Sequence, residues 1–122
     1  IATRIGGESP LHAGSSSRVL LAYAPEAVRV SVMSSPLKRY TPFTITSPEE
    51  LSKSLFEIRR TRCCSSIEEM SPGAGSVSCA ILDEGNNLLA ALSIIGTRFA
   101  CETEGALWKA LLLEAVKKVK LA

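Results

Sequence analysis

His12, the one histidine of the chain, four cysteines at 63, 64, 79 and 101, the adjacent acids Glu68 and Glu69, and a scatter of serines are the residues whose chemistry a function would draw on. A catalytic nucleophile needs a base beside it, and the base needs a third group to orient it. His12 stands between Leu11 and Ala13, ahead of a glycine-serine run, and the spacing suggests no orienting partner. Neighbours on a strand face opposite ways, so Glu68 and Glu69 read as one surface charge and one capping or pairing charge, not as an acid–base pair. Gly73-Ala74-Gly75 lacks the lysine that completes a phosphate loop. Zinc wants three or four converging Cys and His ligands. The cysteine spacing fits neither that pattern nor a dense secreted disulfide framework. The cysteines are expected to be small core residues with one exposed thiol. No enzyme, no metal site and no cofactor follow from these residues.

A binding site is easier to assemble. Gly14-Ser15-Ser16-Ser17 opens a helix, whose first N–H groups and hydroxyls suit a carboxylate or another anion. Ser76 and Ser78 alternate with Val77 and Cys79 on one strand, and Ser93 lies among Ala91, Leu92, Ile94 and Ile95 on its hairpin partner. Hydroxyls on otherwise apolar strands are costly if buried alone, so a ligand, a water or the protein itself must satisfy them.

The elements that would position these groups are marked unevenly. Ser47-Pro48-Glu49-Glu50 is a complete helix start, with Ser47 as cap, Pro48 at the first helical position and Glu50 able to reach back. Leu51, Leu55 and Ile58 then share one face of a helix expected from Pro48 to about Thr61. Before it, Tyr40 to Thr46 is a β-prone run broken by Pro42. Further upstream, short helices are expected over Ser15 to Ala24, with Val19, Leu20 and Tyr23 apolar, and from Pro25-Glu26 to about Ser34. Strand candidates follow at Cys63 to Met70, Ser76 to Asp83 and Leu88 to Gly96, the last two joined by the turn Asp83-Glu84-Gly85-Asn86-Asn87. A final helix, about Thr103 to Leu121, carries Trp108, Leu111, Leu112, Ala115, Val116 and Val119 as a stripe and Lys117, Lys118 and Lys120 near its end.

At 122 residues with 46% apolar and 21% charged content, the chain is one globular α+β domain. No apolar stretch approaches the ~20 residues of a membrane span, and nothing resembles a signal peptide. A cytoplasmic location without membrane contact is expected. The net charge of +2, spread thinly with loose clusters at Arg59, Arg60 and Arg62 and at the C-terminal lysines, is too weak for a nucleic-acid face.

One series of segments is more specific than any of these features alone. Ser9-Pro10-Leu11-His12-Ala13, then Ser15 to Ala22, then Tyr40 to Ile58, then Ile67-Glu68-Glu69, and last Ala90 to Gly96 stand in an order and spacing that resembles the C-terminal effector-binding domain of IclR-type transcriptional regulators, from about Pro10 onward. The resemblance implies a GAF-like antiparallel sheet flanked by helices. It also implies that residues 1–122 form an effector-binding domain lacking N-terminal strands, with the winged helix-turn-helix that binds DNA absent from this chain. The effector would be a small organic acid, or an aromatic or sugar-acid catabolite, and the protein would pair with itself as a dimer or tetramer. Carried over position by position, the resemblance implicates Ser15, Ser16, Ser66, Ala74, Ser76, Ser93 and Ile95 in ligand binding. The sequence departs from the family at Ser17-Arg18 (often Gly then Lys), at Arg62 (Gly), at Ser66 (often Asp), near Ser76 (often Cys) and at Ile95 (often Ser). Loss of polar groups at 66 and 95 implies a less polar ligand or an altered pocket. The other reading is a ligand-free structural or oligomerisation module with a degenerate pocket.

Overall fold

In the computed structural model, which describes residues 10–119, the chain runs α1 (Ser15–Ala22), α2 (Glu26–Ser34), α3 (Pro48–Thr61), β1 (Cys63–Ile67), β2 (Ala74–Leu82), β3 (Leu88–Thr97) and α4 (Arg98–Lys117). The strands form an antiparallel sheet in the order β1-β2-β3. The N-terminal Gly6-Gly7, Ser9 and the C-terminal Lys120 and Leu121 lie outside the described residues.

Each face of the sheet has its own core because strand side chains alternate. On one face α1 and α3 cover Cys64 and Ala80 with Val19, Leu21, Leu51, Leu55 and Ile58. On the other, α4 lays Cys101, Trp108 and Leu112 over Cys63, Val77 and Cys79. Helices on both sides of an antiparallel sheet are the expected α+β arrangement.

The helix start at Ser47 forms, but Glu50 does not reach back to the cap N–H as expected. The Ser47 hydroxyl accepts the Glu50 N–H at 3.3 Å, and Pro48 fills the first position. The carboxylate that answers the cap is Glu49, whose Oε2 accepts from Ser47 Oγ at 2.9 Å. At the other end Arg62 caps α3 in the left-handed region, φ 65°, with its N–H on the Ile58 carbonyl at 2.6 Å. Glycine adopts that conformation without steric penalty. Arg62→Gly is therefore expected to raise stability by about 0.5–1 kcal/mol, seen as a higher urea midpoint at unchanged slope. A lower midpoint would mean that the arginine side chain outweighs the backbone effect.

Several expected boundaries move. β1 stops at Ile67 because Glu68 takes φ 54° and turns the chain. β2 starts two residues early, at Ala74. β3 passes straight into α4, with Thr97 Oγ1 accepting from Ala100 N–H at 3.0 Å, so the last helix begins at Arg98 and not near Thr103. Of its expected stripe only Trp108 and Leu112 are buried. Leu111, Ala115 and Val119 face outward. In α1 the buried residues are Ser15, Arg18, Val19, Leu21 and Ala22, while Leu20 is exposed. The run from Tyr40 to Thr46 makes no strand. It is a turn in which Thr44 Oγ1 receives the Tyr40 and Thr41 N–H groups.

All four cysteines are buried, which corrects the expectation of an exposed thiol. Cys63 and Cys79 are direct cross-strand partners in the β1–β2 register and form a disulfide; Cys64 and Cys101 are free.

Candidate functional site

The face of the sheet beneath α1 is built in rungs by strand pairing. Ser66, Ser76 and Ile95 make one rung, and Cys64, Ser78 and Ser93 the next. The start of α1 lies over both. Gly14 caps it with φ 91°, a conformation only glycine adopts readily, and a Cβ there would meet Met70 Cγ at 3.5 Å. The first bond of the helix is Arg18 N–H to the Gly14 carbonyl at 3.2 Å, which leaves the Ser15, Ser16 and Ser17 amides without an i−4 partner.

Between this helix start and the ends of β1 and β2 is a cavity of about 240 Å³. Its walls include Ser15, Ser16, Ser66, Ala74, Ser76 and Ile95. Six of the seven residues singled out in the sequence thus surround one space. Ser93 does not: it stands a rung away, its hydroxyl 2.6 Å from Ser78 Oγ. Met70, Ser71 and Gly75, for which the sequence suggested no ligand role, also line the cavity, as do Ala13, Gly14 and Ser17.

The serines satisfy one another. Ser15 Oγ lies 2.6 Å from Ser76 Oγ and 2.7 Å from Ser78 Oγ, with Ser15 and Ser78 essentially excluded from solvent. Ser66 is buried in the wall, Ser16 is exposed at the mouth and Ile95 is 76% exposed. Among the described residues the cavity lining contains no charged side chain. A bound anion would rely on amides, hydroxyls and the partial positive charge of a helix start.

The charges that matter sit just behind the lining. Arg18, buried, donates to Ser54 Oγ, to the Ser65 carbonyl at 3.1 Å and to Glu69. Glu69 in turn accepts the Gly14 N–H at 3.3 Å. Thr41 and Thr44 donate to the Glu68 and Glu69 carbonyls and fix that corner. Both acids are paired, which corrects the expectation of one free surface charge: Glu69 with Arg18, and the half-buried Glu68 with Arg98 at 3.1 Å. His12 is structural: buried, its Nε2 lies 2.7 Å from the Lys38 carbonyl oxygen, and its ring centroid is 6.0 Å from that of Tyr40. Among the described residues no cluster of His, Cys, Asp or Glu suits a metal, and no helix is long and apolar enough to cross a membrane.

Burial pushes the Cys64 thiol from 9.0 up to about 11, with the Arg18 guanidinium opposing and the Glu69 carboxylate adding to the rise. The folded protein keeps this proton over a range where the unfolded chain releases it. The resulting stability is fully present below pH 9 and is lost as pH rises toward 11, at about 1.4 kcal/mol per pH unit. Comparing urea midpoints of the native chain and Cys64→Ala across that range is expected to show the extra fall only where Cys64 is present. Parallel curves would contradict it.

An antiparallel sheet with helices on both faces and a small uncharged cavity at a helix start define an α+β domain with a pocket of small-ligand size. The family model for the bacterial transcriptional regulator IclR C-terminal domain matches residues 1–121, and the chain belongs to that family. The family is one of transcriptional regulators, not of enzymes. The Pca operon regulatory protein of Acinetobacter baylyi is 30% identical over 92 residues, 75% of this chain and 33% of that protein. The HTH-type transcriptional regulator RhmR of Escherichia coli is 31% identical over 100 residues, 81% and 38% of the two chains. The chain spans about a third of the length of the curated relatives it matches. Among solved structures, an IclR homolog from Microbacterium hydrocarbonoxydans complexed with 4-hydroxybenzoate superposes with a TM-score of 0.77 at 31% identity, over 95% of this chain and 50% of that one. The C-terminal domain of Escherichia coli KdgR gives 0.79 at 28% identity, over 93% and 71%.

Proposed function

We propose that this chain is the effector-binding part of an IclR-type regulator and that the cavity at the start of α1 receives a small organic acid, with aromatic acids the first class to consider. The observation that carries this reading is the cavity itself, which no side chain among the described residues fills, at the rung of Ser66, Ser76 and Ile95. Its volume of about 240 Å³ falls below the ~300–1,000 Å³ usual for drug-sized ligands, which favours a compact molecule. The amides of Ser15, Ser16 and Ser17 would take the carboxylate. Ser66 and Ser76 would orient the ligand, and Ala74, Met70 and Ile95 would shape an apolar wall. Ser93 would act at one remove, through Ser78. The 4-hydroxybenzoate complex of the Microbacterium homolog supports the ligand class.

In this reading the domain is GAF-like and works in the cytoplasm, and a DNA-binding part of the polypeptide outside these 122 residues does the reading of DNA. A ligand that prefers one arrangement of the domain shifts the DNA-competent population by its differential affinity. Self-association into a dimer or tetramer belongs to the same proposal. It also defines the second reading, an oligomerisation module without a ligand, which the exposure of Phe99 (75%) together with Leu107 and Leu111 on α4 favours.

A thermal-shift screen with small carboxylic, aromatic and sugar acids separates the two. A ligand at 100 times its dissociation constant adds about 2.7 kcal/mol of stability. Ala74→Leu, which narrows the cavity, is expected to abolish the shift. Silence across the panel from a cooperatively melting domain would favour the oligomerisation module.

A further inference from the structure

The hydroxyls of Ser76, Ser15, Ser78 and Ser93 form one unbranched chain with contacts of 2.6, 2.7 and 2.6 Å, drawn from β2, α1, β2 and β3 in that order. Each contact needs one proton, and each hydroxyl has one to donate. Ser15 is 2% and Ser78 0% exposed. Among the described residues neither meets an acceptor outside the chain, so both must donate within it. Only two proton arrangements then put one hydrogen in every contact. In one, Ser76 donates to Ser15, Ser15 to Ser78 and Ser78 to Ser93. In the other every direction is reversed. In the first, Ser76 turns lone pairs toward the cavity and Ser93 has a spare proton on β3. In the second, Ser76 offers its proton to the cavity and Ser93 presents lone pairs.

We propose that this chain is a two-state relay: the hydrogen-bonding character of the ligand group at Ser76 sets the direction of all four hydroxyls, and so decides whether Ser93 donates or accepts on β3. A ligand acceptor such as a carboxylate or carbonyl selects donation toward the cavity, and a ligand donor selects the reverse. The ligand half of this proposal rests on reading the cavity as a binding site; the coupling of the hydroxyls does not. Ser93, outside the cavity, becomes a positioning residue for ligand choice. Its removal leaves Ser78 only Ser15 to donate to, which fixes Ser76 as a donor to the cavity.

A double-mutant cycle on the unliganded protein tests the relay. Ser76→Ala leaves the arrangement ending at Ser93 intact, and Ser93→Ala leaves the one ending at Ser76, so both are expected to melt close to the unsubstituted chain. Together they strand a proton of Ser15 or Ser78 in the core. The double variant is expected to lose about 4 °C or more beyond the sum of the singles. Additive losses overturn the relay. In the liganded arm, Ser93→Ala is expected to raise the ratio of benzoate to benzylamine affinity about fivefold or more, and an unchanged ratio overturns the coupling to ligand. Failure of the unsubstituted chain to bind either probe counts against the cavity as a site, and against the ligand half with it, while the cycle still decides the hydroxyl coupling.

Discussion

Arg18→Met is expected to destabilise the domain by about 3–5 kcal/mol, because it leaves Glu69 charged and buried without its cation. Arg18 and Glu69 have side chains only 6% and 8% exposed. With the arginine gone, Glu69 retains the Gly14 N–H at 3.3 Å as its side-chain hydrogen bond among the described residues. A domain of this size is stable by only ~5–15 kcal/mol, so the variant should sit near the edge of folding. An exposed pair such as Arg60–Glu57 is screened by water and contributes far less. The test is a second substitution. Replacing a buried ion pair by apolar side chains is often neutral, so Arg18→Met with Glu69→Leu should recover most of the loss. A single variant that melts like the unsubstituted chain would show that water reaches Glu69. Glu69 also holds Gly14, so the unstable variant is expected to bind ligand weakly even where it folds.

Trp108→Ala is expected to cost a similar amount, about 3–5 kcal/mol. The indole lies on β3, where a Cβ built on Gly96 would meet Trp108 Cη2 at 2.9 Å. The glycine and the tryptophan thus make one packing unit. Gly96→Ala alone should destabilise, since the ring must move. In the Trp108→Ala background the same change should be neutral or stabilising, because a glycine inside a strand is itself unfavourable. That reversal of sign, read from urea midpoints, distinguishes ring contact from a general dislike of substitution at 96. Equal effects in both backgrounds would contradict the contact.

How far the sequence revealed this structure depended on whether the determining contacts are local. The Ser47 hydroxyl cap and the Leu51, Leu55 and Ile58 face are set within one helix and form as read, though Glu49 and not Glu50 supplies the carboxylate. The turn after β2 is equally local: Asp83 Oδ1 accepts the Gly85 and Asn87 N–H groups, each at 2.9 Å, and Asn86 takes φ 61°. The start of α4 was hidden because β3 runs into it with no glycine or proline between. Its buried line was hidden because apolar residues surround the helix and only packing selects Cys101, Trp108 and Leu112.

The site divides the same way. Motif order placed six of the seven chosen residues around the cavity. Ser93 stands off the cavity because strand register sets it opposite Ser78 and not Ser76. A composition argument puts arginine at the surface, so burial of Arg18 could not be read without knowing that Glu69, 51 positions away, returns to meet it. The same applies to Cys63 and Cys79, which meet only through the β1–β2 register.

The central claim is that the space at the start of α1 is a binding site for a small organic acid. The most direct measurement is a titration of the ¹⁵N-labelled chain with 4-hydroxybenzoate, following backbone amide resonances. Saturable shifts are expected first at Ser15, Ser16, Ser17, Ala74 and Ser76, with the outer face of α3 unmoved. Amides around the cavity that stay still at millimolar ligand, or shifts confined to other surfaces, would contradict the account.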